Sequence, residues 1–144
     1  MTLFIPDVNI LMYAVSSAFR EHPRAHAWWQ EVLSHDVAIG LTPPTVFGFL
    51  RLSTSRRVLE PALAVSEASG FIDEWLVQPA VEYLRPGRRH LEVTLGLLAE
   101  VGVAGNLTTD AQIAAHALEF DAVVVTHDTD FGRFPGVRVF DPLL

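Results

Sequence analysis

The sequence predicts an α/β domain, with a mostly parallel sheet and helices on both of its faces. Three observations carry that reading. Short apolar runs alternate with longer stretches of helical periodicity, and no hairpin signal joins any pair of runs. The segment Ala122-Val123-Val124-Val125 is almost purely β-branched, as expected for a strand covered on both faces. Four aspartates, Asp7, Asp110, Asp128 and Asp130, sit where a strand stops or a helix opens. The carboxyl ends of parallel strands share one edge, and ligands bind in the crevice there.

Leu3-Phe4-Ile5-Pro6 reads as a short buried strand. Asp7 then opens an amphipathic helix with Ile10, Leu11, Ala14 and Val15 inward. A second helix follows Pro23 and carries Trp28, Trp29, Val32 and Leu33. Val37-Ala38-Ile39 is a short strand. Thr42-Pro43-Pro44 starts a helix, with Thr as N-cap and Pro in the first turn, that runs to about Ser55. Another helix is expected from about Pro61 to Leu76, with Ala64, Ala68, Phe71, Ile72 and Trp75 on one face. Ala80 to Leu84 is a strand and Arg85-Pro86-Gly87 a turn. Leu91, Leu95, Leu98 and Val101 mark a helix that Gly102 or Gly105 ends. Thr108 to Phe120 is an Ala-rich helix, and Val137 to Phe140 an edge strand.

A chain of 144 residues, half of them hydrophobic, fits a single domain with a sizeable core. No apolar run reaches the roughly 18 residues of a membrane span, and the N-terminus does not read as a signal peptide. Cysteine is absent, which excludes disulfides and thiolate metal sites and makes a reducing cytoplasm the expected setting. The net charge of −7 argues against a surface that grips nucleic acid non-specifically. A local patch can still hold a backbone beside a metal. All ten basic residues are Arg, suited to forked contacts with phosphate.

Clustered carboxylates repel one another unless a cation neutralises them, and Mg²⁺ prefers hard oxygen ligands. The strand-end aspartates therefore suggest a metal-dependent phosphoryl-transfer site. Each also has a plainer role open to it. Asp7 is placed to cap a helix, with Asn9 two residues on to orient it. Asp110 complements a helix dipole, yet it lies in line with the apolar positions Ile113, Ala114 and Ala117, where Asp is seldom placed without a partner. Asp128 and Asp130 suit an Asx-turn. The Thr126 hydroxyl orients a ligand or closes the strand, and Asn106 and Thr109 cap the helix or line the pocket. His22 and His26 are four apart, but Pro23 lies between them, and the histidines show no metal spacing. Gly-x-Ser-x-Gly and Walker-type motifs are absent.

The stretches Phe4-Ile5-Pro6-Asp7-Val8-Asn9-Ile10-Leu11, Gly48-Phe49-Leu50-Arg51-Leu52-Ser53-Thr54, Asn106-Leu107-Thr108-Thr109-Asp110-Ala111-Gln112-Ile113-Ala114-Ala115 and Thr126-His127-Asp128-Thr129-Asp130-Phe131 occur in one order across essentially the whole chain. In these the chain resembles the PIN domain, and within it the VapC-type ribonuclease toxins of toxin–antitoxin pairs. The resemblance implies a single domain over residues 1–144 and a three-layer α/β/α sandwich. It implies RNA cleavage dependent on Mg²⁺ or Mn²⁺, and a small VapB-like antitoxin as partner. Asp7, Asp110 and Asp128 match family acids and are expected to hold the metal; Asp130 matches a further acid that assists. Asn9, Arg51, Asn106 and Thr126 are expected to meet the substrate. One position departs: Gly48 stands where many relatives carry a Glu, as in a subgroup sharing the Gly-Phe-Leu-Arg pattern. A homodimer is also expected. A structure-specific DNA nuclease, a receiver-like module and a degenerate PIN domain kept for protein binding are the rival readings. The receiver lacks its lysine, and the retained acids oppose the degenerate domain.

Overall fold

The computed structural model describes residues 1–144. Its strands are β1 (Leu3–Pro6), β2 (Ala38–Leu41), β3 (Val81–Tyr83), β4 (Val123–Val125) and β5 (Arg138–Phe140). Its helices are α1 (Val8–Val15), α2 (His22–Ser34), α3 (Pro43–Ser53), α4 (Val65–Leu76), α5 (His90–Val101) and α6 (Thr108–Glu119). The strands form one sheet in the order β3-β2-β1-β4-β5, and every pairing is parallel. The chain winds outward from β1 through β2 to β3, then returns to the other side of β1 for β4 and β5. The strand order therefore reverses between β1 and β4, the kind of switch point where open α/β sheets bind ligands.

Each face of the sheet has its own core. One gathers Ile5 and Val124 with Leu97 of α5 and Ala111, Ile113 and Ala114 of α6. The other gathers Ile39 and Leu41 with Leu11 of α1, Trp29 of α2, Phe49 of α3 and Trp75 of α4. Helices thus cover both sides, giving the three-layer arrangement. Trp75 anchors the second core edge-on, its ring centroid 4.8 Å from Phe49 and 5.8 Å from Trp29. Trp28 is only half buried.

Three sequence expectations need correction. Helix α4 begins at Val65, not near Pro61. Leu63 instead donates its N–H to Ser53 O at 2.8 Å, tying this stretch to the end of α3, and Glu67 accepts the Ala64 N–H at 2.9 Å to open the helix. Strand β2 is displaced toward Leu41, because Gly40 and Leu41 pair with Glu82 and Tyr83. On α5, Leu91 and Leu95 are 71% and 56% exposed, and Thr94 and Leu97 are the buried positions. Gly102 ends α5 in the left-handed conformation, with φ of 88°, which costs glycine little.

Gly48 has a packing reason. A Cβ there would lie 2.7 Å from Val8 Cγ2, so only glycine lets α3 approach the first residue of α1 this closely. One turn earlier, the buried Thr45 hydroxyl donates to Pro6 O at 3.1 Å. Helix α3 is in this way fastened to the carboxyl end of β1. Glu introduced at position 48 meets Val8 and buries a charge. Gly48→Glu is therefore expected to lower stability by about 2 kcal/mol or more, read as a shift in the urea midpoint; an unchanged midpoint would show that the approach of α3 is not constrained there.

Candidate acidic active site

The β1–β4 seam positions the acids. Phe4, Ile5 and Pro6 pair with Val123, Val124 and Val125, and the Asp7 N–H extends the seam to Val125 O at 2.9 Å. Asp7 and Thr126 consequently emerge side by side. Asp7 is 4% exposed and caps α1, its Oδ1 accepting the Ile10 N–H at 3.0 Å. The buried Thr126 hydroxyl donates to Asp7 Oδ2 and accepts the Asp128 N–H at 2.9 Å. Asp128 Oδ1 in turn accepts the Asp130 N–H at 2.8 Å, closing the turn that leads into a short 3-10 helix, Thr129–Arg133. Asp110 approaches from the first turn of α6.

Asp110, Asp128 and Asp130 each offer a carboxylate oxygen within 4.8 Å of the other two. The sequence grouped Asp7, Asp110 and Asp128 and gave Asp130 the assisting place. The structure puts Asp130 inside the group, with Asp7 adjacent and more deeply buried. Asp7 still feels the cluster: its charge and those of Asp128 and Asp130 all raise the Asp110 pKa.

The electrostatics are those of an acid pocket without a neutralising partner. Burial foremost, then Asp128, Asp7 and Asp130, push the Asp110 carboxyl from 3.8 up to about 7. Burial raises Asp7 to about 6, although the hydrogen bonds from Thr126 and Ile10 pull against it and Asp128 adds to it. Tyr13, half buried on α1, is raised by burial first, then by Glu21, Asp7 and Asp128. Arg133 is the cation nearest the cluster, 3.9 Å from Asp130 and about half exposed, a geometry that solvent screens.

The remaining expected site residues divide. Thr126 is buried and its proton goes to Asp7, so it orients the acids. Asn9 is exposed in the first turn of α1, and its backbone N–H, rather than its side chain, acts on Asp7. Asn106 is exposed in the 3-10 turn Gly105–Leu107 that enters α6. Arg51 is exposed on α3. Sequence reading missed Thr45, Tyr13 and Arg133. A Thr three residues after the Thr42 cap, and an Arg three residues after Asp130, were the available signals.

The sign of the Asp7 effect on stability follows from its raised pKa. The folded chain holds that proton more tightly than the unfolded chain, so stability is fullest below pH 3.8 and is lost as pH rises through about 6. Asn caps helices as well as Asp does and carries no charge. In EDTA, Asp7→Asn is expected to stabilise the protein at pH 8 by about 1–3 kcal/mol, and the gain should shrink at pH 5. Thermal melts at the two pH values check this; a loss of stability at pH 8 would contradict it.

Comparisons with known proteins bear on the family and the fold. The PIN domain profile matches residues 4–137. The chain is 50% identical over 141 residues to "Ribonuclease VapC33" of Mycobacterium tuberculosis, covering 98% of this chain and 99% of that protein. Among solved structures, VapBC2 from Rickettsia felis, bound to a DNA fragment from its promoter, matches with a TM-score of 0.72 at 17% identity, over 97% of this chain and 98% of that one. A toxin–antitoxin complex from Klebsiella pneumoniae matches with a TM-score of 0.63 at 18% identity, over 99% and 98% of the two chains. At these identities the structural likenesses speak to the fold, and the profile and the sequence relative speak to descent. The chain belongs to the PIN domain family.

Proposed function

We propose that this protein is a Mg²⁺-dependent endoribonuclease, the toxin of a toxin–antitoxin pair, acting in the cytoplasm. The observation that carries the reading is the gathering of Asp110, Asp128 and Asp130 beside buried Asp7 at the β1–β4 switch point. The donor set suits a hard dication. Its atoms are all carboxylate oxygens, and burial first, then the neighbouring carboxylates, raise the Asp110 pKa to about 7, a cost that a bound cation would relieve. Asp7, Asp110 and Asp128 would hold the ion directly or through water, with Asp130 assisting from beside Asp110 and Asp128, and Mn²⁺ would fit the same oxygens. When bound, such an ion supplies Lewis-acid polarisation of a phosphate and a water of lowered pKa.

The chain's own residues supply the frame. Thr126 fixes the Asp7 carboxylate and the Asp128 backbone together, so the two strand ends cannot drift apart. Asp7 adds negative charge beside the cluster, a repulsion that a dication would relieve. Asn9, Arg51 and Asn106 are exposed polar groups on three elements, and they are proposed to contact the RNA backbone. The 50% identical relative bears the name ribonuclease, which favours RNA over DNA as substrate.

Purified protein, freed of any partner, is expected to cut single-stranded or loop RNA with Mg²⁺ or Mn²⁺ and to stop with EDTA. Asp110→Ala and Asp128→Ala should each lose at least about 100-fold in cleavage, beyond the usual cost of changing residues outside a metal's ligand set. Asp7→Ala should also lose most activity, and Asp130→Ala less. Undiminished cleavage in EDTA would defeat a metal mechanism. No cleavage with any metal would favour a degenerate, protein-binding domain.

The partner is proposed to be a small VapB-like antitoxin encoded next door, with an arginine in its tail laid into the acidic groove, where a guanidinium fork pairs with carboxylates. A homodimer is proposed as well, favoured by the exposed Leu91 and Leu95, one turn apart on α5. Expression of this chain alone should arrest growth, and co-expression of the neighbouring gene should relieve the arrest. A chain that is harmless alone yet cuts RNA when purified, or a neighbour that does not bind it, would refute the pairing.

A further inference from the structure

At the end of α6 remote from Asp110, three ligand-type side chains meet that take no part in the acidic site. His90 is the first residue of α5, and His116 and Glu119 lie in the last turns of α6. Each offers a ligand atom within 4.8 Å of the other two. The two imidazole rings are 4.3 Å apart between centroids, and His90 Nδ1 is 2.7 Å from Glu119 Oε1. His116 and Glu119 are neighbours at i and i+3 on α6, and the antiparallel packing of α5 brings His90, distant in sequence, to them.

Two features distinguish this group from an ordinary polar contact. His116 is 1% exposed, and its Nδ1 has no hydrogen-bond partner. Buried polar atoms are nearly always paired, so an orphaned imidazole nitrogen calls for an explanation. The second feature is the space given to Glu119. A Cβ at Gly87 would fall on Glu119 Oε2, so the turn before α5 leaves room for that carboxylate. The side chains of His90 and Glu119 are only 18% and 14% exposed, enough for an ion to enter from solvent.

We propose that His90, His116 and Glu119 form a binding site for a transition-metal dication of the Zn²⁺ class, separate from the acidic site. Two imidazoles and a carboxylate are a Zn²⁺ donor set, with a fourth position left to water. Mg²⁺ is excluded by the same reasoning, since it prefers oxygen donors and gives up its waters reluctantly. The ion would clamp the start of α5 to the end of α6, bracing the helix whose first turn carries Asp110.

The test uses the full chain, stripped of metal, with Asp110→Asn and Asp128→Asn introduced to silence the acidic site. Calorimetric titration with ZnCl₂ should show a single saturable ion per chain, unaffected by excess MgCl₂. Co²⁺ in its place should show visible absorption typical of a four-coordinate nitrogen–oxygen environment. Adding His90→Ala or the near-isosteric Glu119→Gln should each weaken Zn²⁺ binding by more than about tenfold, and Gly87→Ala should weaken it by displacing Glu119. Circular dichroism melts in EDTA check that each variant folds. Unchanged Zn²⁺ affinity in Glu119→Gln would overturn the proposal whatever His90→Ala does, and so would the absence of saturable binding in the parent. Because the acidic site is already silenced, neither result bears on the ribonuclease reading.

Discussion

The Asp7 turn is the constraint on which the other features of the site depend. Its N–H joins β1 to β4 through Val125, one carboxylate oxygen caps α1 at Ile10, and the other receives the Thr126 hydroxyl. One buried residue thus ends a strand, begins a helix and ties the two central strands together at the point where the strand order reverses. Thr45 and Gly48 hold α3 against the same turn from the opposite side. Thr126 passes the alignment on to Asp128, and Asp128 to Asp130. Asp110 alone arrives on a separate element, carried by a helix packed into the other core.

Placing these carboxylates together conflicts with folding stability. Desolvation and mutual repulsion act in the same direction on Asp110, and the Arg133 contact is too long and too exposed to cancel them. A protein that only needed to fold would pair or remove these charges. Their persistence on a frame so firmly hydrogen-bonded is what points to a cation, since preorganised acids attract one without rearranging. The glycine at position 48 of α3 fits this balance, because the approach to Val8 leaves no room there for a further carboxylate.

Much of this was legible in the sequence, for identifiable reasons. The β-branched run before Thr126 and the aspartates at strand ends reported local geometry, and local geometry places the acids. Thr42 was recognisable as a cap because its oxygen accepts from Thr45 N, three residues away. What failed was set by contacts distant in sequence. The start of α4 was misjudged because the N–H of Leu63 goes to Ser53, on the preceding helix. Leu91 and Leu95 kept helical spacing but belong to a face the sheet does not cover. The sequence leaves Thr126 two roles, orienting a ligand or closing the strand, because no local pattern shows that its proton goes to a residue near the other end of the chain. The His90, His116 and Glu119 group was invisible because the packing of two helices creates it.

The most direct measurement is the titration of the aspartate side-chain carboxyls by carbon-detected NMR, in metal-free protein and again with saturating Mg²⁺. If burial and repulsion among these acids are what a cation relieves, Asp110 titrates near 7 without metal and falls well below that value when Mg²⁺ is added. An Asp110 that titrates near the ordinary 3.8 in metal-free protein, and does not respond to Mg²⁺, would contradict it.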